Sequence, residues 1–180
     1  MKTKTGATIE DLYAVADKAE IVNGEIVRMI PTGDMPARAA FKIAMSLSSV
    51  ERRLGGRAYP DNVGYKVDLP NRTSFSPDAS FYTGHPTGMK FLEGAPVFAV
   101  EVRSEGDYGP QGKAALAQKR RDYFTAGTLV VWDVDLLSRE VVRVYRAAAP
   151  DAPTVYRRGD MAEAEPAVPG WRIAVDELFA

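Results

Sequence analysis

Glu101 is the residue whose surroundings most require a chemical explanation. It lies in the middle of Pro96 to Arg103 (PVFAVEVR), an apolar and β-branched run that is typical of a strand buried on both faces. Removing an ionised carboxylate from water is costly unless a cationic partner or a metal ion compensates its charge. Glu101 is therefore predicted to have such a partner.

Asp78, in the segment SPDAS (76–80), is a candidate second carboxylate for the same site. It stands near the start of another β-like run, which we expect to neighbour the Glu101 strand in a sheet. Two carboxylates that converge from adjacent strands would bind a hard divalent cation such as Mg²⁺, which takes oxygen ligands and keeps several waters. The alternative is structural: Glu101 forms a salt bridge with Arg or Lys, and Asp78 is a turn or capping residue.

Lys119 lies on the helix predicted from Lys113 to about Phe124. Leu116, Lys119 and Tyr123 stand at positions i, i+3 and i+7, so the lysine shares the apolar face that should pack on the sheet. An inward-facing lysine needs an anion, and its ammonium could stabilise negative charge developing at the same site. The alternative is that the stem is buried and the amine reaches water.

Composition excludes several classes of site. The 180 residues contain no cysteine and only one histidine, His85, which excludes disulfides, thiolate metal sites, cysteine nucleophiles and His-rich metal centres. The formal net charge of −1 means that any contact with nucleic acid must use a local basic patch. No apolar run of about 18 residues and no secretory signal is found, so we expect a cytoplasmic protein without a membrane segment.

The local patterns predict one mixed domain over residues 1–180. Thr8 and Asp11 resemble a capping box that opens a helix from Ile9 to about Lys18. The pair Asn23-Gly24 between two β-rich runs predicts an N-terminal hairpin. The other predicted elements are an amphipathic helix (Pro36 to Leu54), β stretches (64–69, 75–82 and 128–133) and an edge or half-exposed strand (140–146). This α/β (α+β) mixture predicts a central mixed β-sheet flanked by helices.

The order of these segments resembles the Uma-type putative restriction endonuclease family of bacteria. The resemblance spans nearly the whole chain and is carried by AEIVNGEIV (19–27), SPDAS, VEVRSEGD (100–107), Lys119 four residues before Tyr123, TLVVWDVD (128–135) and the tail from Pro169. That family is similar to the PD-(D/E)XK nucleases. The resemblance therefore implies a restriction-endonuclease-like fold with an αβββαβ core, a Mg²⁺ or Mn²⁺ site, and hydrolysis of phosphodiester bonds in nucleic acid, with DNA as the expected substrate.

The resemblance also assigns roles to individual residues. It places the metal-binding carboxylates on Asp78 and Glu101, a helper metal-binding carboxylate on Glu20, and a displaced catalytic lysine on Lys119. Arg103 stands where the superfamily has its lysine, two residues after the glutamate, and is expected to hold the phosphate or to tether a carboxylate.

Two other functions stay open at this level. One is a degenerate nuclease fold that binds nucleic acid or protein and cleaves nothing. The other is hydrolysis of a different phosphodiester. Because the near-neutral chain presents little basic surface, we also expect a homodimer, which would double a modest footprint.

Overall fold

The computed structural model describes residues 6–180, so residues 1–5 of the predicted domain lie outside the described residues. Its helices are α1 (Ile9–Tyr13), α2 (Asp34–Ser48), α3 (Glu51–Leu54) and α4 (Pro110–Thr125), with short 3₁₀ turns at Glu105–Asp107 and Val175–Phe179. Its strands are β1 (Ala19–Val22), β2 (Glu25–Arg28), β3 (Arg57–Tyr59), β4 (Tyr65–Leu69), β5 (Arg72–Phe75), β6 (Ala79–Tyr82), β7 (Leu92–Glu93), β8 (Phe98–Val102), β9 (Val130–Val134), β10 (Val142–Arg146), β11 (Ala149–Tyr156), β12 (Met161–Glu163) and β13 (Arg172–Ala174).

Two mixed sheets dominate this α+β fold. The larger has the order β11-β10-β9-β8-β6-β3; of the described pairs within this sheet, β8–β9 is parallel and the others are antiparallel. The smaller has the order β2-β1-β5-β4-β7. The predicted mixed sheet is therefore found, but the N-terminal hairpin belongs to a second sheet, and β12 and β13 form a separate pair.

The larger sheet separates two apolar cores. Phe98, Val100 and Val102 of β8 point to one side, where they pack with α2 and the C-terminal segment around Trp171. Ala99 lies on the opposite side with Tyr123 of α4 and with residues of the smaller sheet. Because side chains alternate along a strand, Glu101 shares the face of Ala99 and points toward α4.

The N-terminal predictions are confirmed in part. Asn23 and Gly24 have φ of 52° and 77°, as a tight hairpin turn requires, and β1 pairs with β2. The Thr8 and Asp11 capping box is present. Helix α1, however, ends at Tyr13 rather than near Lys18, because the chain must turn there to enter β1.

Other predicted boundaries shift for local reasons. The long helix begins at Asp34 and breaks after Ser48, before the short α3, which Gly55 caps with φ of 69°. The β stretch 75–82 is interrupted at residues 76–78, where Pro77 provides no donor for a ladder. Strand β10 is half-exposed as predicted, but it is not an edge strand, because β11 pairs along it. None of the helices described in residues 6–180 combines the length and apolar character needed to cross a bilayer.

Candidate active site

Lys119 and Glu101 form the centre of the site. The Lys119 Nζ lies 2.8 Å from Glu101 Oε1 and 2.8 Å from Glu20 Oε1. Tyr123, one turn further along α4, donates its hydroxyl to Glu101 Oε1 at 2.7 Å. The predicted inward orientation of Lys119 is confirmed, and its amine is held by two carboxylates instead of reaching water.

Glu20 reaches this centre from the smaller sheet. Its neighbours Ala19 and Ile21 pack with α1, so the alternation of β1 turns Glu20 to the other side. Arg72 donates from Nη1 to Glu20 Oε2 at 2.6 Å, and the Ser76 N–H donates to Oε1 at 2.7 Å. Glu20 thus links β1 and β5 to helix α4.

Asp78 is fixed against the strand that carries Glu101. Its N–H donates to the carbonyl of Val100, and the Val102 N–H donates to its Oδ2 at 2.8 Å. The predicted adjacency of these two segments is confirmed, since β6 pairs with β8. The other oxygen of Asp78, Oδ1, accepts a hydrogen bond from Lys18 at 2.9 Å, and Lys18 also contacts Asp61.

Lys18 and Asp61 contact Asp78 or its partner, but the sequence patterns do not predict either of them as a site residue. Lys18 precedes β1 directly, and Asp61 follows Pro60 in a turn. Neither residue belongs to a periodic pattern. The one available signal is a lysine immediately before a strand that itself carries a buried carboxylate, Glu20.

Arg103 forms its ion pairs with Asp133 and Asp135. Its Nε and Nη2 donate to the two carboxylate oxygens of Asp133 at 2.7 Å each, and its Nη1 lies 3.7 Å from Asp135 Oδ2. This bidentate pair ties the end of β8 to β9. The structure therefore gives Arg103 the contacts of a residue that tethers a carboxylate. His85 is exposed in its loop.

The charges of the three central groups depend on one another. Burial raises the pKa of Glu101 to about 7, and the carboxylates of Asp78 and Glu20 add to this shift against the attraction of Lys119. Burial alone would also raise the pKa of Glu20, but Lys119 and Arg72 hold it below its ordinary value. Burial would lower the pKa of Lys119, but the two glutamates hold it above its ordinary value. Of the two glutamates, Glu101 is thus the one whose negative charge is compensated less by its partners.

The donor set fits a hard divalent cation. The ion pairs form two sets, and carboxylates outnumber cationic groups in each. One set joins Lys18 to Asp61 and Asp78. The other joins Arg72 and Lys119 to Glu20, Glu101 and Asp122. Within residues 6–180, no group of three or more His, Asp and Glu side chains is arranged as a metal site. A cation at Asp78 and Glu101 would accordingly keep several waters, as Mg²⁺ usually does.

An open cleft gives access to Asp78. Its volume is about 190 Å³, and it lies between the start of α2 and the turn that carries Asp61. Its lining comprises Thr32, Pro36, Ala37, Ala40, Phe41, Pro60, Asp61 and Asp78. Asp78 is therefore the candidate site residue that faces this cleft directly.

Breaking the buried ion pairs should destabilise the protein strongly. Arg72 is 5% exposed and contacts both Glu20 and Asp122, so Arg72→Met leaves two carboxylates without their guanidinium. We expect the free energy of unfolding to fall by about 3–5 kcal/mol in urea titrations. The matched control is Lys66→Met, which removes an exposed pair with Glu93 and should cost about 0.5 kcal/mol or less. A small loss for Arg72→Met would contradict this assignment.

The raised pKa of Glu101 predicts a pH dependence of stability. A carboxyl with a folded-state pKa of about 7, against an ordinary value of 4.5, destabilises the folded state as soon as the same carboxyl ionises in the unfolded chain. Its unfavourable contribution is absent below pH 4.5 and grows as the pH rises to about 7. Without metal, the stability of Glu101→Gln minus that of the wild type should therefore increase over this range, by about 1–3 kcal/mol. Urea titrations in chelator across this range measure it, and a pH-independent difference would contradict the account.

Comparison with known proteins places the chain in a family. The chain matches the Uma2 family, whose description is "Putative restriction endonuclease", over residues 9–176. No curated protein matches the chain. Among solved structures it is similar to "a putative nuclease belonging to DUF820" from Anabaena variabilis, with a TM-score of 0.72 and 16% sequence identity, covering 96% of this chain and 97% of that chain. This similarity shows that the two proteins share a fold, and the family match confirms the resemblance seen in the sequence: the chain belongs to the Uma2 family of restriction-endonuclease-like proteins.

Proposed function

We propose that this protein is a divalent-metal-dependent endonuclease that hydrolyses phosphodiester bonds in DNA. The observation that carries the proposal is the Lys119 ammonium held between Glu101 and Glu20, beside a strand contact that fixes Asp78. This arrangement combines oxygen ligands for a hard cation with a fixed positive charge. Family membership supports a nuclease activity for the arrangement.

Asp78 and Glu101 are the residues that would hold Mg²⁺ or Mn²⁺, with Glu20 as the helper carboxylate. When bound, the cation would neutralise charge on the scissile phosphate and lower the pKa of a water molecule. The Glu20 oxygens accept hydrogen bonds from Arg72 and Ser76, and Oε1 contacts Lys119, so as the helper carboxylate Glu20 would also fix Lys119 and add negative charge beside the cation.

Lys119 would supply the positive charge that stabilises the reacting phosphate. Its ammonium is preorganised by two carboxylates, so little rearrangement is needed as negative charge develops there. The Tyr123 hydroxyl holds Glu101 in place, and burial, together with Glu101 and Glu20, raises the pKa of Tyr123 so that it stays a donor. Arg103, paired with Asp133, would position the end of β8 rather than contact the phosphate.

The substrate backbone would approach through the cleft beside Asp78.

The homodimer and the cytoplasmic location stay predictions. Light scattering of the purified protein measures the first, and fractionation of cells measures the second. A second copy would present a second cleft and would double the contact with a duplex.

A cleavage assay with a panel of substrates tests the proposed function. The panel contains double-stranded DNA, single-stranded DNA, RNA and a small phosphodiester, each with Mg²⁺, Mn²⁺ or excess chelator. We expect DNA cleavage with either cation and none in chelator. Cleavage of the small diester alone would indicate a different phosphodiesterase, and binding without any cleavage would indicate a degenerate module. Either result would overturn the proposal.

A further inference from the structure

The side chain of Lys18 donates a hydrogen bond to Asp78, the carboxylate that faces the cleft. Asp78 Oδ2 accepts the backbone N–H of Val102, a bond that belongs to the packing of β8. Asp78 Oδ1 accepts from Lys18 Nζ at 2.9 Å. Both oxygens of Asp78 thus accept a hydrogen bond, Oδ2 from the backbone of β8 and Oδ1 from the Lys18 side chain.

Lys18 is held there by the fold. Its carbonyl accepts the N–H of Met29, which extends the hairpin by one pair, and its side chain is 17% exposed. Burial would lower the pKa of Lys18, but Asp78 and Asp61 hold it above its ordinary value, so the ammonium is charged. A fixed positive charge therefore lies at Asp78.

Asp61 gives the same ammonium a second partner. Its Oδ1 contacts Lys18 Nζ and also accepts the N–H of Asn62 at 2.8 Å, so the carboxylate is fixed by its own turn. Asp61 and Asp78 both line the cleft. If Lys18 leaves Asp78, it can keep its contact with Asp61 without crossing the site.

We propose that Lys18 is a built-in competitor for the metal, and that Asp61 is the carboxylate that retains Lys18 when a divalent cation takes Asp78. This inference rests on the proposed function, because it concerns the same cation. A divalent ion at Asp78 Oδ1 would repel an ammonium within a few ångströms, so cation binding includes the displacement of Lys18. The affinity for the metal then depends on how strongly Asp78 and Asp61 each attract the Lys18 ammonium.

The two residues should affect metal binding in opposite directions. Lys18→Met removes the competitor, so Mn²⁺ should bind at least about tenfold more tightly than to the wild type. Asp61→Asn removes the anion that receives the displaced ammonium, so Mn²⁺ should bind more weakly. In the Lys18→Met background there is no ammonium to receive, and Asp61→Asn should then change binding little.

Calorimetric titration with Mn²⁺ alone, without nucleic acid, tests this double-mutant cycle. Melting curves in chelator check the fold of each variant, and Lys18→Gln replaces Lys18→Met if the latter does not fold. Lys66→Met, which removes an exposed lysine from the smaller sheet, is the control and should bind Mn²⁺ like the wild type. Asp78→Asn reports whether the binding measured belongs to this site.

The outcomes separate the inference from the proposed function. The inference alone is overturned if wild-type binding depends on Asp78 but Lys18→Met does not tighten it. It is also overturned if Asp61→Asn weakens binding equally in both backgrounds, because Asp61 would then act without Lys18. If neither the wild type nor Lys18→Met binds Mn²⁺ at Asp78, the metal-dependent function and the inference both fail.

Discussion

Replacing Lys119 with glutamine should lower the rate of DNA cleavage by about 100-fold or more while Mn²⁺ binding is retained. The ammonium is fixed between Glu101 and Glu20, so its charge is available to the reacting phosphate without rearrangement. Glutamine keeps hydrogen-bonding capacity toward both carboxylates, which truncation to alanine would remove from a buried site. Single-turnover cleavage rates and calorimetric Mn²⁺ titrations measure the two quantities.

Lys113→Gln is the matched control, because Lys113 is exposed near the start of the same helix. It should cleave like the wild type. Arg103→Gln breaks the bidentate pair with Asp133, so it should lower stability more than the turnover of the folded protein. If Lys119→Gln keeps near-wild-type turnover and Arg103→Gln loses it, the assignment of Lys119 as the catalytic cation is wrong.

Replacing Asp78 with asparagine should remove both the cleavage and the response to metal. Any ligand that binds only the native state raises its stability, so millimolar Mg²⁺ should raise the Tm of the wild type. Asparagine can still accept the Val102 N–H but lacks the charge that a hard cation requires. We expect cleavage to fall by about 100-fold or more and the Mg²⁺-dependent rise in Tm to disappear.

Asp68→Asn, at an exposed position of β4, is the control for a general loss of negative charge. Its Tm should rise with Mg²⁺ as in the wild type. An unchanged Mg²⁺ response in Asp78→Asn would mean that the carboxylate is a structural partner of Lys18 rather than a metal ligand.

The parts of the site that sequence reasoning found are those with a local physical signal. A carboxylate within an apolar strand must be compensated, so the sequence pattern alone identifies Glu101 as a residue with a charged partner. The helical spacing of Lys119 and Tyr123 put both on one face, and both contact that carboxylate. The Asn23-Gly24 turn likewise predicts the hairpin, but Glu20 within it is assigned by the family resemblance and not by a local pattern.

The parts that were missed depend on contacts between distant segments. Lys18 lies 43 residues from Asp61 and 60 residues from Asp78, and no periodicity relates positions so far apart. Arg103 shares a face with Glu101 by strand alternation, but which carboxylate it pairs with depends on β9, a parallel neighbour after a helical crossover. The exact pairing of charges therefore follows from sheet register, which local patterns do not determine.

Anomalous diffraction from a crystal soaked in Mn²⁺ tests most directly whether the two strand carboxylates hold a cation. Data collected near the manganese absorption edge locate the ion without any assumption about activity. The account predicts one strong peak between Asp78 and Glu101, with the Lys18 ammonium moved away from Asp78 toward Asp61. A peak at any other place, or an undisturbed contact between Lys18 and Asp78 in a crystal soaked at saturating Mn²⁺, would contradict it.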